Sequence, residues 1–140
     1  MRIDKVILLF FLPLLLTPGA GAQQSTDTIT TISIGVKAGL QFDLVRFMVR
    51  PASTVRIVFS NTDDMNHNLL VTKPGSRLEV VNDALALAEK GPAQDYIPVS
   101  SKVLWSIPVV PPNGSKSLTF TAPAEKGIYP YVARYRGMAL

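Results

Sequence analysis

The chain has 140 residues, with 14 lysines and arginines against 10 aspartates and glutamates, giving a net charge of +4. This mild positive balance forms no basic stripe, so it argues against nucleic-acid binding, although it would favour encounter with an acidic partner. The sequence contains no cysteine, so disulfide bonds do not contribute to its stability.

Residues 1–22 are typical of a secretory signal peptide. Arg2 and Lys5 give a positively charged start, residues 6–16 form an apolar run, and residues 20–22 (Ala-Gly-Ala) match a cleavage site. The apolar run is shorter than the about 20 residues needed to cross a bilayer. We therefore expect export to the periplasm or the medium, with no membrane span after cleavage.

Residues 23–140 have the length of one domain, and their first half predicts four strands. In the second of these strands, Phe42, Leu44 and Met48 share one face, and the third alternates apolar and polar side chains along its length. The predicted strands cover residues 28–36, 41–49, 54–60 and 68–72.

The middle of the chain changes to a helical period. Leu78, Val81, Leu85 and Ala88 recur at helical spacing, and Lys-Gly-Pro follows as a helix stop. This pattern predicts one amphipathic helix over about residues 78–90. Three more strands are predicted over residues 102–107, 115–121 and 128–135. Many short strands separated by turn signals predict an all-β sandwich, with the helix inserted between the fourth and fifth strands.

Two stretches carry a family pattern. The loop after the third predicted strand has the sequence Asn-Thr-Asp-Asp-Met-Asn-His-Asn over residues 61–68, and Gly-Ile-Tyr-Pro-Tyr-Val covers residues 127–132. Both stretches resemble the cupredoxins, the blue type 1 copper proteins, and are nearest to those of azurin and auracyanin type. The resemblance extends from about residue 32 to residue 137. It implies a Greek-key β-sandwich with a helical flap and a function in electron transfer.

The resemblance also implies a copper site. In such a site, two histidine nitrogens and a cysteine thiolate hold the metal, with a weak axial methionine. The resemblance assigns His67 to the first histidine ligand and Asn68 to the asparagine that ties the two ligand loops together by hydrogen bonds. Asn66 stands where a backbone carbonyl approaches the metal in azurin-type sites. Copper is therefore the implied cofactor.

The second ligand loop departs from the family pattern, in which Gly-x-Tyr-x-Tyr-x-Cys-Thr-x-Pro-Gly-His is followed shortly by Met. Ala133 stands at the cysteine position and Met138 at the histidine position, and no axial methionine follows. Ala133 ligates nothing, and the thioether of Met138 is a weak ligand for Cu(II). We therefore expect an incomplete copper site. We also expect the last strand of the sandwich to be missing, which would expose a strand edge.

A change of reading frame accounts for these departures together. Back-translation of residues 133–139 gives GCN CGN TAY CGN GGN ATG GCN. Read one base earlier, with permitted choices of the free bases, this encodes Cys-Thr-(Leu, Ile or Val)-Pro-Gly-His-Gly directly after Val132. The free bases also permit other residues at these positions. The hypothesis is a single-base frame change near the Val132 codon, either as a sequencing error or in a true pseudogene.

Three functional hypotheses remain open. The first is an exported blue-copper electron carrier, acting as a monomer that docks transiently on redox partner proteins. The second is a metal-free cupredoxin-like binding module without redox activity, in which Ala133 and Met138 are genuine. The third is a copper chaperone that uses His67 with methionines. A thiol at position 133 would distinguish the first hypothesis from the second.

Other chemistry is not predicted. The chain has one histidine and no cysteine or Gly-x-Ser-x-Gly sequence, so a catalytic triad and an enzymatic function are not expected. Asp63 and Asp64 are not followed by a glycine-spaced carboxylate loop, so we expect a solvated loop there and no calcium site. Met48 and Met65 are interpreted as packing residues.

Overall fold

The computed structural model describes residues 28–39 and 41–133. In chain order the elements are β1 (Thr30–Lys37), β2 (Gln41–Phe42), β3 (Thr54–Asn61), β4 (His67–Thr72), α1 (Arg77–Ala86), two 3₁₀ turns (Ala88–Lys90 and Pro92–Gln94), β5 (Val103–Val110), β6 (Ser115–Thr121) and β7 (Tyr131–Val132). The described residues thus form a mostly β structure with one α-helix, which confirms the predicted fold class.

Four strands form sheet A, in the order β2-β1-β3-β6. The inner strand β3 pairs in parallel with β1 and antiparallel with β6. Its burial alternates as the sequence predicts, because Val55, Ile57 and Phe59 are fully buried whereas Arg56 is exposed. Period-two patterning therefore determines which face of sheet A covers the core.

Three strands form sheet B, in the order β5-β4-β7. The central strand β4 pairs antiparallel with both neighbours, so that His67 lies opposite Val110 and Leu70 lies opposite Val132. All six residues of β4 are buried. This strand begins with the histidine that the family pattern singles out, so the fold fixes that residue at a sheet end.

The two sheets enclose one main core. Its largest members are Phe59, Ile34 and Ile57 from sheet A and Leu69 and Ile107 from sheet B. At its edge, the rings of Trp105 on β5 and Phe120 on β6 stack with centroids 4.2 Å apart and planes inclined by 27°. Aromatic pairs of this kind add to the burial of apolar area that joins the two sheets.

The helix was predicted in the right place but with the wrong buried face. Val80 and Ala84 are buried, whereas Leu78 is 76% exposed and Leu85 is 36% exposed. Val80 packs with Leu70 in a second, smaller cluster beside sheet B. The helix thus rests on short side chains that allow close approach to the sheet, and the larger leucines point outward.

The predicted strand over residues 41–49 is wrong beyond its first two residues. After Phe42 the chain leaves the sheet. Met48, predicted to share a strand face with Phe42 and to be a packing residue, is 90% exposed, so its packing role was wrong. Side chains hold this segment instead. The ring of Tyr131 packs edge-on against Phe42 at 5.0 Å and stacks on Phe47 at 5.9 Å, and its hydroxyl donates a hydrogen bond to the carbonyl oxygen of Leu44.

Three sequence predictions lie outside the described residues: the signal peptide over residues 1–22, the thioether of Met138, and the missing strand after residue 133. Within the described part of the chain, β7 is the last strand. No helix in the described residues has the length and apolar character needed to cross a membrane.

Candidate metal centre

A short loop between β3 and β4 carries the predicted ligand, and Asn61 organises it. The fully buried side-chain amide of Asn61 donates from Nδ2 to the carbonyl oxygens of Met65 at 2.7 Å and Val110 at 2.9 Å. Its Oδ1 accepts a hydrogen bond from the backbone N–H of Asp63 at 3.0 Å. One side chain thus fixes the turn of the loop and fastens it to β5.

His67 is buried at the end of this loop, where it is only 2% exposed. Its Nε2 lies 2.7 Å from Oδ2 of Asp63, four residues earlier in the chain. A histidine ring that binds a metal through one nitrogen characteristically donates its other N–H to a carboxylate or carbonyl. The ring and its carboxylate therefore have the arrangement that metal-ligating histidines use.

Asp63 corrects the prediction of a solvated loop, because it is 5% exposed whereas Asp64 is exposed. The hydrogen bond with the His67 side chain holds the pKa of Asp63 below its ordinary value, against the opposing effect of burial. Asp63 Oδ1 also accepts the backbone N–H of Asp64 at 2.9 Å. The sequence signal that could have identified Asp63 is a carboxylate in the same short loop as the histidine.

Asn68 is also fully buried, and its Nδ2 donates to the carbonyl oxygen of Asp95 at 2.7 Å. Asp95 follows the second 3₁₀ turn with a left-handed φ of 49°, and its Oδ1 accepts the backbone N–H of Val109 at 3.3 Å. The hydrogen bond from Asn68 to Asp95 joins β4 to the segment after the helix. The role predicted for Asn68, a tie to the second ligand loop, involves residues beyond 133 and stays a prediction.

The other positions of the family's copper site supply no further side-chain ligand among the described residues. Ala133 follows β7 and carries no donor atom, and Asn66 is half-buried in the loop. The described part of the chain contains no group of three or more histidine, cysteine, aspartate or glutamate side chains that could hold a metal ion. Since the whole sequence also lacks cysteine, the residues present do not fit a type 1 copper ion.

Comparison with known proteins identifies the family. No protein-family model matches the chain. Auracyanin-A of Chloroflexus aurantiacus is 36% identical over 110 residues, which are 76% of this chain and 67% of the relative. The chain belongs to the auracyanin family of blue copper proteins. The family is one of electron-transfer cupredoxins, which are in general not enzymes, and the copper site of this member is incomplete.

Solved auracyanins have the same fold. The structure of auracyanin A, a "blue" copper protein from Chloroflexus aurantiacus, matches 76% of this chain and 87% of its own with a TM-score of 0.66 and 35% identity. Dithionite-reduced auracyanin from Roseiflexus castenholzii matches 74% of this chain and 83% of its own, with a TM-score of 0.64 and 29% identity. Auracyanin B, at 21% identity and a TM-score of 0.63 over 74% of this chain and 76% of its own, supports the fold alone.

Proposed function

We propose that this chain is an exported blue-copper electron-transfer domain whose second ligand loop lies out of frame after Val132. The observation that carries the proposal is that the back-translation of residues 133–139, read one base earlier, permits Cys-Thr-x-Pro-Gly-His-Gly where the family has its ligands. The first half of the site supports it, because His67 is buried and oriented by a hydrogen bond in a folded loop.

The strand register also supports a cysteine at position 133. Val132 pairs with Leu70 and Tyr131 pairs with Val71 in an antiparallel ladder. Continuing this register by one residue brings position 133 opposite Leu69, two residues from His67 on the same strand. A thiolate there would approach the imidazole, as a site built from both ligand loops requires.

In the chain as written, His67 would offer copper one imidazole and Met138 one thioether. Asn68 would not bind the metal but would tie the two ligand loops together by hydrogen bonds. That set lacks the thiolate that suits Cu(I) and gives the blue colour. In the restored frame, a cysteine and a second histidine at positions 133 and 138 would complete three ligands. We propose that the restored domain acts as a monomer in the periplasm or the medium, and docks transiently on redox partners through a small interface.

The test begins with the gene. Sequencing from the Tyr129 codon to about sixty bases past Leu140 is expected to reveal one extra base. This length covers one further strand of about 5–6 residues with its turns. The restored frame should then encode Cys-Thr-x-Pro-Gly-His, a methionine and a further strand. If the bases agree with the present reading and the earlier frame stops soon, the proposal is wrong.

A protein-level test uses the frame-restored chain, which is the protein encoded by the gene once the extra base is present. It is expected to bind Cu(II) and turn blue, because a thiolate–copper bond forms, and His67→Ala in the same chain should abolish the colour. The chain as written is the matched control, since it keeps His67 but has no thiolate. A colourless restored chain would contradict the proposal.

The second candidate is a metal-free cupredoxin-like binding module, and the absence of cysteine from the whole sequence favours it. It requires Ala133 and Met138 to be genuine. The same sequencing experiment decides between the two candidates, because a confirmed alanine codon in the only open frame supports this one.

A further inference from the structure

A tight turn joins β5 to β6 and contains the only Asn-Gly dipeptide of the sequence, Asn113-Gly114. The backbone N–H of Gly114 donates to the carbonyl oxygen of Pro111 at 2.9 Å, and Asn113 has a left-handed φ of 58°. Proline at the second position and a positive φ at the third are features of a type II β-turn. Asn113 is exposed, so the turn presents this dipeptide to solvent.

An asparagine followed by glycine is chemically labile, because glycine has no side chain to hinder approach to its backbone nitrogen. That nitrogen attacks Cγ of the asparagine side chain and forms a cyclic imide. The side-chain nitrogen leaves as ammonia, which carries away the proton lost from the backbone nitrogen. Water then opens the ring at either carbonyl and gives aspartate or isoaspartate. In isoaspartate the main chain passes through the former side-chain carbons, so it is longer by one methylene group.

The closed turn opposes this reaction in the folded chain. The attacking nitrogen must first lose its proton, and the N–H of Gly114 is held by the carbonyl of Pro111. The nitrogen must also rotate towards Cγ of Asn113, which breaks the same hydrogen bond. Folded proteins open locally at free energies that range up to that of global unfolding. The reaction therefore requires the turn to open first.

The same turn is fastened to Asn61 at the end of β3. The backbone N–H of Asn113 donates to the carbonyl oxygen of Asn61 at 2.8 Å, and the backbone N–H of Asn61 donates to the carbonyl oxygen of Gly114 at 2.9 Å. The side chain of Asn61 in turn fixes the loop that carries His67. A main chain lengthened at position 113 does not keep both backbone hydrogen bonds, because their spacing is set by two consecutive residues. Modification of the turn therefore acts on that loop.

We propose that Asn113 is a modification site: the closed turn slows its conversion to isoaspartate, and the conversion, once it has occurred, loosens the loop that carries His67 through Asn61. The reaction needs only water and the chain as written. It involves no metal, so it is independent of the proposed function and of the copper tests.

The first test compares rates of conversion. The full chain is incubated in mildly alkaline buffer, folded or unfolded in urea, and peptide mass spectrometry with enzymatic methylation of isoaspartyl carboxylates quantifies the product. The unfolded chain should react at least about fivefold faster, the factor that corresponds to one net hydrogen bond of about 1 kcal/mol. Asn82, also exposed but followed by aspartate, is the internal control and should stay unmodified in the folded chain. Equal rates in both states, or no isoaspartate at position 113, would overturn the proposal.

The second test examines the loop. In the purified isoaspartyl form of the ¹⁵N-labelled chain, the NMR signals of the Asn61 side-chain amide and of the backbone amides of residues 62–66 should shift, and these amides should exchange with solvent faster than in the parent. Asn113→Asp is the matched control, because it adds the same charge, keeps the length of the main chain and tolerates a positive φ. This variant should retain the parent's loop signals. Unchanged loop signals in the isoaspartyl form would overturn the coupling to Asn61.

Discussion

At the residue scale, Asn61 holds the loop that carries His67. Its side-chain amide makes hydrogen bonds with backbone groups of Met65, Val110 and Asp63. Asn61 itself is fully buried. A buried backbone group that loses its partner costs about 1–3 kcal/mol. The stability of the loop therefore depends on this one amide.

Asn61→Ala is expected to lower the free energy of unfolding by at least about 2 kcal/mol, because it leaves two carbonyls and one N–H in the interior without that partner. Urea denaturation followed by circular dichroism measures the change. Asn82→Ala is the control, since Asn82 is exposed on the helix and alanine favours helix. Equal stability of the Asn61 variant and the parent would refute this account of the loop.

The sequence motif identified two residues of the candidate site and missed a third. The sequence pattern singled out His67 and Asn68, and both are fully or almost fully buried. It missed Asp63, which was expected in solvent, because no local pattern tells which of two adjacent carboxylates turns inward. That choice is made by the Asn61 amide, which accepts the Asp63 N–H and depends on β5 for its own position.

At the element scale, β7 and the segment after β2 depend on each other. Tyr131 connects them through its ring contact with Phe47 and the hydrogen bond from its hydroxyl to the carbonyl of Leu44, and its ring also contacts Phe42 at the end of β2. Burial raises the pKa of Tyr131, and the negative charge of Asp43 adds to the effect. The folded state therefore favours the protonated phenol.

This raised pKa predicts a loss of stability at alkaline pH. Above about pH 10 the unfolded chain releases the Tyr131 proton while the folded chain still holds it, so the free energy of unfolding should fall as the pH rises. Denaturation curves between roughly pH 8 and pH 11 should show a smaller fall in Tyr131→Phe. Tyr129→Phe is the control, because the Tyr129 hydroxyl donates to the carbonyl of Glu125, only four residues earlier in the chain. Identical pH profiles for Tyr131→Phe and the parent would rule out the effect.

At the scale of the whole molecule, the described residues share one main core between two sheets. Among these residues Phe59 is the largest fully buried side chain, and it lies on β3, an inner strand of sheet A. Folded domains are stable by only about 5–15 kcal/mol. The cohesion of the sandwich therefore depends strongly on a few such residues.

Phe59→Ala should destabilise the protein by about 3–5 kcal/mol, since it removes apolar contacts and leaves a cavity. Val99→Ala is the control: Val99 is 100% exposed, and its change should stay within about 0.5 kcal/mol. Thermal and urea unfolding of the two variants and the parent measure both effects. A Phe59 variant as stable as the Val99 variant would contradict the role of Phe59 in the main core.

The sequence by itself determined the family, the strands with strict alternation such as β3, and the place of His67 in a loop motif, because local period and a loop motif are written in consecutive residues. Tertiary structure decided the rest. The helix buries Val80 and not Leu78, and the segment after Phe42 leaves the sheet for Tyr131, because packing partners come from distant parts of the chain. Asp63 turns towards His67 for the same reason: the Asn61 amide, which is bonded to Val110 of β5, holds its backbone, and His67 meets its carboxylate, which is stable in the interior only with such a partner.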